Sequence, residues 1–206
     1  MRKVLLTSAG LTENMKELFF DYIGKEPKDT CVIFVPTAAT LNDFAREGIA
    51  VGIAELLKMG IVQEHILIYD LRLLLSQNHT KTYSQGVEDS SLPPQARLMS
   101  ADELKKYDAI LFCGGNATIL LDELYRTGFN QPLIEAVDNG LFYIGVSAGS
   151  MIAAGNLPDG LRFVQNPITP HCENRVPCGA LPADTEICLA DNQAVWVSGD
   201  DAVIIE

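Results

Sequence analysis

Short apolar runs alternate with helix-like segments through the first three quarters of the chain. Runs rich in β-branched and aromatic residues predict five buried strands: Lys3–Thr7, Cys31–Val35, His65–Leu71, Ala109–Cys113 and Leu141–Val146. Apolar residues spaced three and four apart predict helices between them, beginning near Asn14, Asn42, Ser100, Thr118, Pro132 and Ser147. After Gly155 the chain is rich in proline, and four short strands are predicted: Leu161–Val164, Ile187–Ala190, Ala194–Val197 and Ala202–Ile205.

Capping residues refine three of these helix starts. Asn14–Glu17 and Ser100–Glu103 each have the chemistry of a capping box, with the N-cap and N3 side chains three residues apart. The second helix is predicted over Asn42–Met59, with Gly60 directly after its last turn.

The alternation of buried strands and helices defines the fold class. Continuous apolar strands joined by helices indicate a parallel sheet covered on both faces. Residues 1–206 are therefore predicted as a single doubly wound, mostly parallel α/β domain with a β-rich C-terminal edge. In such a sheet the chemistry lies at the carboxyl ends of the strands, in the loops after residues 7, 35, 71, 113 and 146.

The composition narrows the range of partners. The chain has 206 residues, 48% of them hydrophobic, and a formal net charge of −12, which argues against nucleic acid or an anionic membrane. Its five cysteines include no C-x-x-C pair, the N-terminal segment is too short for a secretory signal, and no apolar run approaches the ~18 residues of a membrane span. We expect a soluble, reduced, cytoplasmic protein, a monomer or homodimer.

The segment Gly145–Gly149 reads G-x-S-x-G between a predicted strand and a predicted helix. This context is typical of a nucleophile elbow, where a sharp turn lifts the serine hydroxyl above the sheet edge. Ser147 is the candidate nucleophile, and the Ala148 amide at the helix start is a candidate oxyanion donor. The Gly115 amide, in the glycine-rich loop after the fourth strand, is the candidate second donor.

A serine hydroxyl needs a base to take its proton, and the chain holds three histidines. His65 falls at the edge of the sheet opposite the elbow, and His79 lies in an ordinary polar loop. His171 follows two prolines that stiffen its loop, so His171 is the candidate general base.

The acid that would orient this histidine has three candidates. Asp191 lies in a tight turn between two predicted strands, where a carboxylate can be rigid and partly buried. Aspartate is also common in turns because its side chain hydrogen-bonds to the local backbone, and this structural role explains Asp191 equally well. Glu173 and Glu186 are the alternatives.

The sequence lacks the motifs of nucleotide and metal sites. It contains no G-x-x-x-x-G-K-[ST], and the first strand–helix turn does not match the dinucleotide-binding fingerprint. His171, Cys172 and Cys178 do not have the ligand spacing of zinc modules. We therefore expect neither a cofactor nor a metal.

Three segments of the chain resemble the peptidase E family of aspartyl dipeptidases, which is related to cyanophycinase: Phe112–Asn116, the elbow Gly145–Gly149, and Asn166–His171. The resemblance implies a class I glutamine-amidotransferase-like fold, a three-layer sandwich. It also implies a metal-independent serine peptidase that cleaves dipeptides with N-terminal aspartate, or other small amides.

The resemblance assigns a role to each candidate residue. It implies a triad of Ser147, His171 and Asp191, with the amides of Gly115 and Ala148 as oxyanion donors.

Substrate recognition is predicted at two further positions. Asn116 belongs to the glycine-rich loop, and Arg175 is the only cation between the histidine and Asp191, so we expect Arg175 to bind a substrate carboxylate. The alternative function is that of a non-catalytic binding protein of the same fold. A separation between Ser147 and His171 far beyond hydrogen-bond distance would favour this alternative. Glutamine amidotransfer is disfavoured because that chemistry needs a thiolate at the elbow.

Overall fold

The computed structural model describes residues 1–39, 43–74, 92–183 and 185–206, with only the backbone of 43–45. The predictions for Asn42 and His79 fall outside these residues. No helix in the described ranges is long and apolar enough to cross a membrane.

The strands form one large sheet and one small one. In chain order they are β1 (Lys3–Thr7), β2 (Val32–Val35), β3 (Ile66–Ile68), β4 (Ala109–Phe112), β5 (Phe142–Val146), β6 (Ile168–Thr169), β7 (Gly179–Ala180), β8 (Ile187–Cys188), β9 (Ala194–Ser198) and β10 (Asp201–Ile205). The large sheet has the order β3-β2-β4-β5-β1-β9-β10-β7, and β6 pairs with β8 in the small one. The first five strands in that order are parallel, whereas β9, β10 and β7 add antiparallel. The mostly parallel sheet with a β-rich C-terminal edge is thereby confirmed.

The helices cover both faces of this sheet. In chain order they are α1 (Glu13–Ile23), α2 (Asp43–Lys58), α3 (Ala101–Leu104), α4 (Ala117–Thr127), α5 (Asn130–Asp138) and α6 (Ala148–Ala153). Alternate residues of β1 show how the layers are built. Val4 and Leu6 belong to the apolar cluster that includes residues of α3 to α6, while Leu5 belongs to the cluster with residues of α1 and α2. Three layers result, with the sheet in the middle.

The parallel strands direct their carboxyl ends toward one edge. Parallel pairing places Thr7 of β1 beside Val146 of β5, and Val35 of β2 beside Phe112 of β4. The loops that leave these strands therefore lie side by side, as the sheet rule predicts for a functional site.

Two local predictions are wrong. The first helix is capped by Thr12, whose side chain accepts a hydrogen bond from the Met15 amide, and not by Asn14. Leu161–Val164 is not a strand, because its amides donate to the carbonyls of Ile152 and Ala153 at the end of α6. Its apolar side chains are buried as an irregular segment over the core.

Candidate active site

A cavity of about 840 Å³ opens at the carboxyl edge of the parallel strands. Its lining includes the residues after β1, the glycine-rich loop after β4, the elbow after β5, one face of α2, and His171. The cavity therefore lies where several strand ends meet, which is the usual ligand position in open α/β sheets.

The elbow holds Ser147 in a strained backbone conformation at the floor of this cavity. Its φ of 48° and ψ of −103° lie outside the regions that most L-residues adopt. Ser147 is fixed by a 3.0 Å hydrogen bond from its amide to the Thr7 carbonyl of the adjacent strand. A Cβ at Gly149 would lie 2.6 Å from the Phe112 carbonyl oxygen, so glycine is required where the helix crosses β4.

The imidazole of His171 connects the serine to an acid. Its Nε2 lies 3.2 Å from Ser147 Oγ, and its Nδ1 lies 2.7 Å from Asp191 Oδ1. A carboxylate only accepts hydrogen bonds, so we assign the proton to Nδ1, which leaves Nε2 to accept the serine proton. The structure thus brings together the three residues of the predicted triad.

Asp191 is the candidate acid that contacts His171, and its side chain is more exposed than its turn led us to expect. The exposed fractions of the His171 and Asp191 side chains are 53% and 68%. The alternatives lie elsewhere: Glu186 accepts a short hydrogen bond from Thr169, and Glu173 is an exposed loop residue.

Ser8 is a buried residue of the site that sequence reasoning missed. Its hydroxyl accepts a 2.7 Å hydrogen bond from the His171 amide and donates a 3.2 Å bond to Asp191 Oδ1. Its own amide donates to the Gln193 carbonyl. The available signal was its position, the first polar residue after a buried strand at the carboxyl edge.

Gln193 is a second missed residue, and it orders the turn that carries Asp191. It is 1% exposed, and its side-chain amide exchanges hydrogen bonds with both backbone groups of Val176. Its Oε1 also accepts from the Ala190 amide. The buried Gln193 side chain therefore joins the loop that follows His171 to the turn that carries Asp191.

Of the two predicted oxyanion donors, Gly115 lines the cavity, and Ala148 is a buried residue directly after Ser147 at the start of α6. Gly115 has a φ of 140°, and a Cβ there would overlap the Ala38 carbonyl, so only glycine fits. The same loop lies against the nucleophile, since a Cβ built on Gly114 would be 3.9 Å from Ser147 Oγ. Gly115 and Ala148 therefore stay the candidate oxyanion donors.

Asn116 lines the cavity, while Arg175 does not. The Asn116 side chain caps α4 by accepting from the Ile119 amide at 3.0 Å. The Arg175 guanidinium lies outside the lining and pairs with Glu206 at 3.1 Å. The structure therefore does not bring Arg175 to the triad.

Cys113 also faces the cavity, and burial raises the pKa of its thiol to about 12. This thiol stays protonated near neutral pH and is a poor nucleophile. Within the described ranges, no group of three or more His, Cys, Asp or Glu side chains is placed to hold a metal ion.

The sequence of this region matches a known family. Residues 75–159, which include the glycine-rich loop and the elbow, match the model of peptidase family S51. Peptidase E of Streptomyces coelicolor is 47% identical over 73 residues, 35% of this chain and 27% of that protein. An uncharacterized peptidase of Pasteurella multocida is 26% identical over 159 residues, 76% of this chain and 62% of that protein. The matched segment thus spans less than two thirds of the length of either relative.

The fold of the whole chain is shared with a solved structure. The crystal structure of a Listeria monocytogenes protein provisionally assigned as peptidase E superposes with a TM-score of 0.65 at 22% identity, covering 100% of this chain and 98% of that one. The predicted α/β fold with a mostly parallel sheet is thereby confirmed. The matching sequence segments thus make residues 75–159 similar to peptidase family S51, the family of peptidase E.

Proposed function

We propose that this protein is a serine-type peptidase that hydrolyses dipeptides or other small amides. The observation that carries the proposal is the continuous hydrogen-bonded relay from Asp191 through His171 to Ser147, at the floor of an open cavity. The 3.2 Å separation between imidazole and hydroxyl is within reach for proton transfer, which favours catalysis over a purely binding role.

The reaction follows from the positions of these groups. Ser147 Oγ attacks the carbonyl carbon of the substrate while its proton moves to His171 Nε2, and Asp191 stabilises the imidazolium that forms. The amides of Gly115 and Ala148 donate hydrogen bonds to the oxyanion.

Collapse of the tetrahedral intermediate breaks the C–N bond, and the imidazolium proton passes to the leaving amine. Water, deprotonated by the same imidazole, then hydrolyses the acyl-serine ester and regenerates the enzyme. Because the nucleophile, base and oxyanion donors all belong to the chain, we propose that no metal takes part.

Aspartyl specificity, implied by the family resemblance, requires a cation near the substrate side chain. Arg175 supplies none inside the cavity, because its guanidinium is paired with Glu206 outside the lining. The proposal therefore concerns small amides in general. Hydrolysis of Asp-Leu by wild type and by Arg175→Ala tests the aspartyl part separately.

The assignment of Ser147 is tested by labelling and kinetics. A fluorophosphonate should modify Ser147 in the wild-type protein, and Ser147→Ala should lose both the label and about 10⁴-fold or more of kcat for a dipeptide substrate. Ser100→Ala, at an exposed helix cap far from the cavity, is the matched control and should keep both. Label on another residue, or hydrolysis that survives Ser147→Ala, would show the nucleophile to be wrong.

A further inference from the structure

The segment that follows the elbow helix lies directly against the segment that leads to His171. The Gly155 amide donates a 3.1 Å hydrogen bond to the Asn166 carbonyl. The two segments approach so closely that a Cβ at Gly155 would overlap the Gln165 carbonyl. The side chain of Asn156 makes the next connection between them.

Asn156 binds both backbone groups of Ile168. Its Nδ2 donates to the Ile168 carbonyl at 2.8 Å, and its Oδ1 accepts from the Ile168 amide at 2.9 Å. Ile168 is the first residue of β6 and is fully buried, so these backbone groups are shielded from water and need a partner in the protein. The Asn156 carboxamide thus takes the place that a neighbouring strand would have on this edge of β6.

The other edge of β6 connects it to the acid. Strand β8 pairs there in parallel, with Thr169 beside Cys188. His171 follows the end of β6 by two residues, and Asp191 follows the end of β8 by three. The small sheet therefore supports base and acid together, whereas Ser147 belongs to the start of α6. Any displacement between the small sheet and α6 separates the base from the nucleophile.

The path from Asn156 to each reacting group is short. Toward the nucleophile it is the elbow helix α6, and toward the base it ends in Pro170, whose ring fixes φ. Ser8 anchors the same loop at the His171 amide. Asn156 is a second anchor, placed ahead of the loop. The two anchors together determine where the imidazole lies relative to the serine hydroxyl.

We propose that Asn156 is a positioning residue, which joins the small sheet to α6 and so sets the 3.2 Å separation between His171 Nε2 and Ser147 Oγ. The inference rests on the proposed peptidase function. It adds a residue that acts without touching substrate, since Asn156 does not belong to the described lining of the cavity. A misplacement of about 1 Å between reacting groups costs up to about 100-fold in rate.

Asn156→Asp tests this role with little change of shape. The carboxylate still accepts from the Ile168 amide, but it cannot donate to the Ile168 carbonyl and repels it. We expect kcat for a dipeptide at pH 8 to fall about 10- to 100-fold, with KM within about twofold.

The pH dependence of Asn156→Asp gives a second readout. A carboxyl that is partly buried beside a carbonyl takes up a proton above its usual pKa, and the protonated form can donate to Ile168 again. The ratio of the variant's kcat to that of wild type should therefore rise as the pH falls from 8 to 5. A ratio that stays constant would contradict the assignment to this hydrogen bond.

Asn139→Asp is the matched control. Asn139 also donates from Nδ2 to a backbone carbonyl, that of Glu135 at 2.8 Å, but at the exposed end of α5. Its kcat should equal that of wild type at every pH. Thermal unfolding establishes that each variant is folded at the assay temperature, and Asn156→Ala, which introduces no charge, replaces Asn156→Asp if that variant is unfolded at pH 8. A folded variant with wild-type kcat, or a loss confined to KM, would overturn the proposal.

A crystal structure of Asn156→Asp at pH 8 measures the same effect without catalysis. The separation between Ser147 Oγ and His171 Nε2 should lengthen beyond about 3.5 Å. His171 Nδ1 should stay hydrogen-bonded to Asp191, because both residues depend on the small sheet. If wild type hydrolyses no peptide but the separation lengthens, the peptidase proposal fails and Asn156 still sets this distance. If wild type hydrolyses peptides but the separation is unchanged, the role of Asn156 fails alone.

Discussion

At positions 147 and 171 the backbone enters the left-handed region, which non-glycine residues rarely occupy. The φ angles of Ser147 and His171 are 48° and 61°. Each conformation costs about 1–3 kcal/mol, so the surrounding contacts must hold it in place. For Ser147 this contact is the Thr7 carbonyl, and for His171 it is the hydroxyl of Ser8. Thr7, the last residue of β1, and Ser8, which follows it, therefore fix both partners of the proposed proton transfer.

Removing the Ser8 hydroxyl should affect turnover more than substrate binding. In Ser8→Ala, the His171 amide and Asp191 each lose a hydrogen-bond partner, and the imidazole is held less firmly. We expect kcat to fall about 10- to 100-fold with KM within about twofold. Steady-state kinetics on one dipeptide measure the two parameters.

Thr30→Ala is the matched control for Ser8→Ala. Thr30 is also fully buried, and its hydroxyl donates to the Glu26 carbonyl far from the cavity. It should lower the thermal unfolding midpoint without changing kcat. If kcat for Ser8→Ala equals that of the control, Ser8 does not position His171.

Residues with a local signature could be predicted, while those acting over long sequence separations could not. The elbow around Ser147 has a motif, and the proline-rich loop of His171 and the turn of Asp191 have distinctive surroundings. Ser8 and Gln193 act through bonds to distant segments, which no pattern of neighbouring residues encodes. The rule that functional residues lie at the carboxyl ends of parallel strands limits the candidates to a few loops. It does not identify the side chains in those loops that reach the site.

Among the elements, the helix starts show how side chains compete for a cap. Thr12 caps α1, and Asn14, with equally suitable chemistry, instead donates to the Glu206 carbonyl. At α3 the capping box of Ser100 and Glu103 forms as predicted. The observed N-cap of α1 differs from the predicted one because tertiary contacts decide between two nearby residues with similar capping chemistry. The sequence alone does not show those contacts.

The α3 capping box makes part of the stability depend on pH. The Arg97 side chain, followed by the Ser100 amide, lowers the pKa of Glu103 from 4.5 to about 2. Because the folded pKa is depressed, this stabilisation is present above about pH 4.5 and is lost as the pH falls toward about 2. We expect Glu103→Gln to lower the free energy of unfolding by about 1–2 kcal/mol near neutral pH.

Urea unfolding of wild type and Glu103→Gln from pH 3 to 7 tests this dependence. The difference between the two proteins should shrink steadily below about pH 4.5. Glu17→Gln serves as the control and should give no pH-dependent difference. A constant difference across the range would contradict the assignment to Glu103.

For the molecule as a whole, stability is concentrated in the parallel centre of the sheet. Leu5 of β1 is fully buried, whereas Ile68 on the edge strand β3 is 40% exposed. Leu5→Ala should lower the free energy of unfolding by about 2–5 kcal/mol because it leaves a cavity in a packed layer.

Ile68→Ala provides the comparison and should cost less than about 1 kcal/mol. Urea denaturation at neutral pH measures both variants. Similar losses at the two positions would contradict a core centred on β1.

The position of β1 between β5 and β9 has a consequence for synthesis on the ribosome. The N-terminal strand and the elbow emerge early, but His171 and Asp191 arrive later, and β9 must add beside β1 to bring them there. A growing chain that has released only residues 1–150 therefore exposes a hydroxyl with nothing to deprotonate it. Under the proposed function, Ser147 therefore gains its base only when the later strands have docked.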